Sequence, residues 1–311
     1  MSISQSSISE EQRGDYHTNS LPVVHDIISL ILSSTSIPIQ STPTLDLSLS
    51  LLPFHYVFSP PAPISSETII PLSAARKAGR LSSADLVKVD LTMGKFLGQL
   101  HSRCQNDWFG LVRRKGEEED STKTTQYSWQ ETFVLLFESI LSEIESHGQD
   151  VADVPFRQIR FHFSRAIGSS LFEDVEVPSL VWFTGSEDDI YIRINPQDPP
   201  SLAAILPNVS HALWGDPLLE TFFIETQSEA FMKAYKEWGG EDLIKVPRQK
   251  TKRIWYTLFL AFVVLKERGN VNYAVSEGEI GQLLAPSAIG TAWAKKKILQ
   301  CAEELKEALY Y

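Results

Sequence analysis

One stretch, SSADLVKVDLTMGKFLGQLHSRC at residues 82–104, limits the possible folds more than any other. Leu86, Val89, Met93, Phe96, Leu97 and Leu100 recur at three- and four-residue spacing behind a Ser82–Asp85 cap, which predicts a helix with one face in a core. Gly94 and Gly98 lie one turn apart on it. Glycine costs a helix interior about 1 kcal/mol relative to alanine, so a pair in register predicts the close approach of a second helix.

Other segments repeat the pattern. The box Ser128-Trp129-Gln130-Glu131 opens a helix with Phe133, Leu136, Ile140 and Ile144 on one face. Helices are expected over VVHDIISLILSS and at roughly 155–170, 218–238, 249–268 and 289–309, enclosing short strands around 180–206. FHYVF at 54–58 is a strand candidate, and RRKGEEEDSTK reads as a solvated loop. The expected organisation is a disordered 1–20, a thin segment at 21–80 and a mostly helical 81–311, with no internal repeat.

Charge and cysteine content remove several functions. A net charge of -11 repels a phosphate backbone, and the basic clusters Arg113-Arg114-Lys115 and Lys295-Lys296-Lys297 are short, so no nucleic-acid partner is expected. Cys104 and Cys301 are too few for a disulfide framework or a zinc site and suit a reducing compartment. The first twenty residues are polar and acidic, and the longest apolar run, IWYTLFLAFVVL at 254–265, is shorter than the roughly 20 residues a membrane span requires. The expectation is a cytoplasmic protein without a membrane span.

PSLVWFTGSEDDIYI at 178–192 reads as strand, polar turn and strand, and offers Trp182 and Thr184 where chemistry would want a base. No H-E-x-x-H, C-x-x-C, G-x-S-x-G, G-x-G-x-x-G or G-x-x-x-x-G-K-[ST] occurs. His101 is expected to cap or pack at a helix end, and His162 to lie on a helix face. Ser210 beside His211 makes a poor nucleophile pair, because sequence neighbours seldom form one.

Three segments, FLGQLHSRCQNDWFGL at 96–111, SWQETF at 128–133 and ALWGDPLLE at 212–220, resemble the fungal branch of the aminoglycoside phosphotransferase and choline kinase-like family. The resemblance implies an α+β, kinase-like fold with a truncated N-terminal lobe over 21–80 and a mostly helical C-terminal lobe. It puts Trp182 at the family's His, Thr184 at its catalytic Asp, Asp189 at its metal-binding Asn and Asn208 at its magnesium-holding Asp. It also implies a structural role for Asp216. Phosphoryl transfer needs a carboxylate for the acceptor hydroxyl, another for the metal and a cradle for the phosphates. A neutral amide holds magnesium poorly, and no lysine precedes Lys77.

No ATP, Mg²⁺ or other cofactor is therefore expected. The acids Glu187, Asp188 and Asp189 stand as displaced candidates or as solvated turn residues. Trp182 and Phe183 either fill a dead cavity or form the wall of a site for an apolar small molecule. On the second alternative Thr184 and Asn208 are the catalytic donors, and Trp182, Phe183, Asp189, His211 and Trp214 bind substrate. The function expected is a metal- and nucleotide-independent cyclase of pericyclic type in natural-product biosynthesis, acting as an entropy trap with one or two hydrogen bonds. The alternative is a noncatalytic pseudokinase that binds a partner or ligand.

Overall fold

The computed structural model describes residues 16–39, 42–58, 68–114, 126–147, 151–195, 197–225, 227–269 and 290–309. They fall into two compact units: His17–Tyr127 with Val177–Leu243, and Tyr16 with Ser128–Glu176 and the residues from Ile244 onward. Of the segment expected to be disordered, 1–15 lies outside the described residues, while Tyr16 and Asn19 are buried. Most of the acidic loop at 113–123 also lies outside them.

In the first unit, α1 (Leu21–Ser34) buries Leu21, Val23, Ile27, Ile28 and Ile31. Two short strands, β1 (Thr44–Asp46) and β2 (Tyr56–Phe58), pair antiparallel. Next come β3 (Thr68–Pro71), α2 (Leu72–Lys77) and the central α3 (Ser83–Arg103). The α3 cap forms as expected: the Ser82 side chain accepts from the Asp85 amide, and Asp85 accepts from the Ser82 amide. The glycine pair also meets its partner. A Cβ on Gly94 would lie 2.2 Å from the Phe231 carbonyl oxygen, and one on Gly98 2.5 Å from that of Tyr235. Both carbonyls belong to α6 (Glu229–Glu237), which rests against α3 where side chains are absent.

Two antiparallel three-stranded sheets complete this unit. In one, β3 and β7 (Asp198–Ile205) flank β6 (Ile190–Asn195). In the other, β4 (Gly110–Leu111) and β5 (Ser179–Val181) flank β8 (Leu213–Gly215). The two strands expected on either side of the polar turn thus belong to different sheets. The helix expected over 218–238 is instead two 3-10 turns, Pro217–Leu219 and Thr221–Phe223, followed by α6.

The second unit packs α4 (Trp129–His147), α5 (Phe156–Gly168), α7 (Arg248–Gly269) and α8 (Thr291–Glu304). Its core is aromatic: Phe133 lies 4.8 Å from Phe172 and 5.1 Å from Tyr256, and Phe137 lies 4.5 Å from Phe163, centroid to centroid. The indole of Trp129 donates to the Tyr256 hydroxyl at 2.7 Å, so the polar tip of each ring is satisfied. The apolar run at 254–265 lies within α7, with almost every side chain buried, as expected of a helix apolar on all faces. Among the described residues, no helix is long and apolar enough to cross a membrane.

Candidate functional site

All seven site residues singled out from the sequence lie in the first unit. The chain leaves β5 after Val181, and Phe183 turns it with φ at +66°, a left-handed conformation that costs a bulky residue energy. The compensation is Glu220, a fully buried carboxylate that accepts from the Trp182 amide at 2.6 Å and from the Phe183 amide at 3.0 Å. His101 Nε2 lies 3.3 Å from the same carboxylate, and His101 Nδ1 lies 2.9 Å from the Tyr235 hydroxyl. His101 is thus a core residue, as its helix-end position suggested. Burial, helped by Asp216 and Glu220, keeps the Tyr235 phenol well above its ordinary pKa.

Sequence reasoning missed Glu220. The one available signal was an acid set within the apolar run LLETFF, where burial demands a partner.

Beyond Phe183 the loop closes on itself. A Cβ at Gly185 would lie 2.7 Å from the Trp182 ring and 2.8 Å from Phe222, so only glycine fits between them. Ser186 and Asp189 form a capping box in which Asp189 accepts from the Ser186 amide at 2.8 Å and its hydroxyl at 2.9 Å. Burial pushes the Asp189 carboxyl up to about 6, against the lowering effect of those bonds. Asp188 accepts from the Ser73 hydroxyl, and Glu187 pairs with Arg76 at 2.8 Å. Asp189 thus makes a local tie, while Asp188 and Glu187 tie the turn to α2. Among the described residues, no group of His, Cys, Asp and Glu is arranged to hold a metal ion.

Asn208 meets this loop through its backbone. Its carbonyl accepts from the Trp182 indole at 3.0 Å and, at a long 3.5 Å, from the Thr184 hydroxyl. Its side-chain oxygen accepts from the Ser210 amide at 3.2 Å and hydroxyl at 2.7 Å, which closes a tight turn. His211 and Trp214 are buried, the latter in β8 opposite Leu180. Asp216 accepts from the Leu218 amide at 2.9 Å, which is the structural tie the sequence suggested.

Beside Trp182 is a cavity of about 20 Å³, lined by thirteen apolar residues from α1, the segment after it, α3, β5, β7 and the 207–212 loop. Trp182 is the one expected site residue on this wall. Pro207 and Val209 line it, whereas Asn208 between them is exposed; Thr184, Phe183, Asp189, His211 and Trp214 are not on the lining. The volume admits about one water-sized probe, and a wall without polar groups gives water nothing to bond.

No family model and no characterised protein sequence matches the chain. Solved structures do. One is a protein assigned as a fructosamine-3-kinase from Haemophilus somnus 129PT, 13% identical with a TM-score of 0.49, covering 90% of this chain and 78% of its own. Another is the ADP-bound aminoglycoside phosphotransferase APH(2'')-Ib, 12% identical with a TM-score of 0.48, covering 91% of this chain and 82% of its own. A likeness of this strength carries neither activity nor substrate to this chain.

Proposed function

We propose that the chain is a binding protein of kinase-like architecture that takes an apolar small molecule beside Trp182 and works without nucleotide or metal. One observation carries this reading: the cavity wall consists of apolar side chains alone, and the indole N–H of Trp182 is spent on the Asn208 carbonyl. Such a surface recognises shape and apolar area, at about 25 cal/mol per Å² buried, and offers no hydrogen bond to a polar ligand. The residues Trp182, Thr184 and Asn208 support the same reading, because none offers a carboxylate at the positions where the resemblance puts the family's His, catalytic Asp and magnesium-holding Asp.

A second reading, metal-free cyclisation of a flexible apolar substrate, is supported by the weak engagement of the Thr184 hydroxyl at 3.5 Å. That bond is long enough to be exchanged for one to a substrate carbonyl. Asn208 is the alternative donor through its side-chain N–H₂, since the bonds from Ser210 occupy only its oxygen.

The two readings separate in one experiment. Wild type, Trp182→Ala and Thr184→Val are titrated with the neutral fluorophore N-phenyl-1-naphthylamine and incubated, with EDTA present, with linear apolar polyenes. Binding weakened by Trp182→Ala, without turnover, supports the binding protein. Turnover slowed roughly ten- to a thousand-fold by Thr184→Val supports the cyclase. Retention of full binding and rate by both variants would overturn both readings.

A further inference from the structure

A cavity of about 20 Å³ is too small for any apolar ligand larger than a methyl-sized group, so a ligand can enter only where the wall yields. Most of the wall is core: Ile31, Met93, Leu97, Leu180, Val209 and Ala212 are buried. The exceptions are Pro207, half-buried between exposed Leu206 and Asn208, and the segment 35–39 after α1. The latter has no regular secondary structure, Ser36 is exposed, and Ile37 and Ile39, which line the cavity, are half-buried.

Few bonds hold this segment to the rest of the wall. Gln99, a buried amide on α3 amid apolar neighbours, accepts from the Ser36 amide at 2.8 Å and the Ser36 hydroxyl at 3.0 Å. The Ile205 amide at the end of β7 donates to the Pro38 carbonyl at 3.1 Å. A buried glutamine in a core helix requires a reason, and its carbonyl oxygen is committed to the segment covering the cavity.

We infer that residues 35–39 form a strap that gates the apolar cavity beside Trp182, with Gln99 as its clamp, and that an uncharged aliphatic or aromatic molecule enters when the strap lifts from α3 and β7. This rests on the apolar-ligand reading above. Lifting about Thr35, whose amide and hydroxyl stay bonded to the Ile31 carbonyl, exposes two half-buried isoleucines and breaks three hydrogen bonds to Gln99 and Ile205, whereas moving α1 would expose five buried side chains. The strap is therefore the low-cost opening. Apparent affinity scales with the fraction of open strap, because Kd,app equals the intrinsic Kd divided by that fraction.

The test couples two readouts in the full chain. Hydrogen exchange is followed by peptide-resolved mass spectrometry for wild type, Gln99→Leu and Ser36→Ala, and each protein is titrated with N-phenyl-1-naphthylamine. Gln99→Leu removes two bonds and should speed exchange at Ser36 and Ile205 roughly tenfold while α3 keeps its protection. Probe affinity should rise by the same factor, and Ser36→Ala, which removes one bond, should move both readouts by roughly threefold and serves if Gln99→Leu does not fold. Faster exchange without tighter binding overturns the strap as the entry, and unchanged exchange makes it a fixed wall. If no variant binds the probe, the cavity reading itself falls, and the gate with it.

Discussion

At the residue scale, Asp189 and Glu220 are both carboxylates holding backbone amides, yet their burdens differ. Asp189 has a folded pKa of about 6 against an ordinary 3.8, so between those values the folded state binds more protons than the unfolded. Stability therefore falls as pH rises through that window, and above it the cost is constant at roughly 3 kcal/mol. Asp189→Asn keeps an acceptor for Ser186 without the charge. Melting temperatures measured from pH 3.5 to 8 should show the variant more stable than wild type at pH 8 and equal to it at pH 3.5. A difference independent of pH would mean that the charged carboxylate carries no penalty. Glu220 offers two acceptors to two amides and contacts His101, so Glu220→Gln turns an N–H₂ group toward a backbone donor. It should cost about 1–3 kcal/mol in denaturant unfolding, and Trp182 fluorescence should change as the loop loosens.

At the element scale, the junction of α3 and α6 depends on what is missing from it. Added methyl groups at Gly94 or Gly98 would meet backbone carbonyls at 2.2 and 2.5 Å, and a carbonyl within a helix cannot rotate aside as a flexible side chain can. Gly94→Ala should therefore destabilise by about 1–3 kcal/mol or more despite alanine's better helix propensity. Ala at Gly168, where nothing lies within 4 Å, is the control and should be neutral or mildly stabilising in the same urea titration. Equal effects at the two positions would show that the helices separate freely. The same junction accounts for the expected helix over 218–238: the Asp216 cap and Pro217 open a 3-10 turn, and a second turn follows after Glu220. Glu220 and Phe223 become buried there, so the 218–238 stretch forms its α-helix only from Glu229.

At the scale of the whole molecule, the chain has two separately packed units, and its candidate site lies in one of them. On the nucleotide-independent reading, calorimetry with Mg-ATP should register no heat, because Trp182, Thr184 and Asn208 offer no carboxylate at the positions where the resemblance puts the family's His, catalytic Asp and magnesium-holding Asp. Saturable binding at micromolar nucleotide would overturn the nucleotide-independent reading. The sequence by itself determined α3 with its cap, the close approach at Gly94 and Gly98, and the helices of the second unit. Those features are local: a period of 3.6 residues and a cap three residues long are legible within a single window. Only the tertiary structure decided which polar groups meet. Glu220 reaches back 38 residues to the Trp182 amide, and the Asn19 side chain crosses 190 residues to the Val209 carbonyl. Gln99 was legible only as a polar residue in a core helix until Ser36 was seen against it. A hydrogen bond between distant residues leaves no periodic trace in either segment, because one polar side chain among apolar neighbours is compatible with many partners until folding selects one.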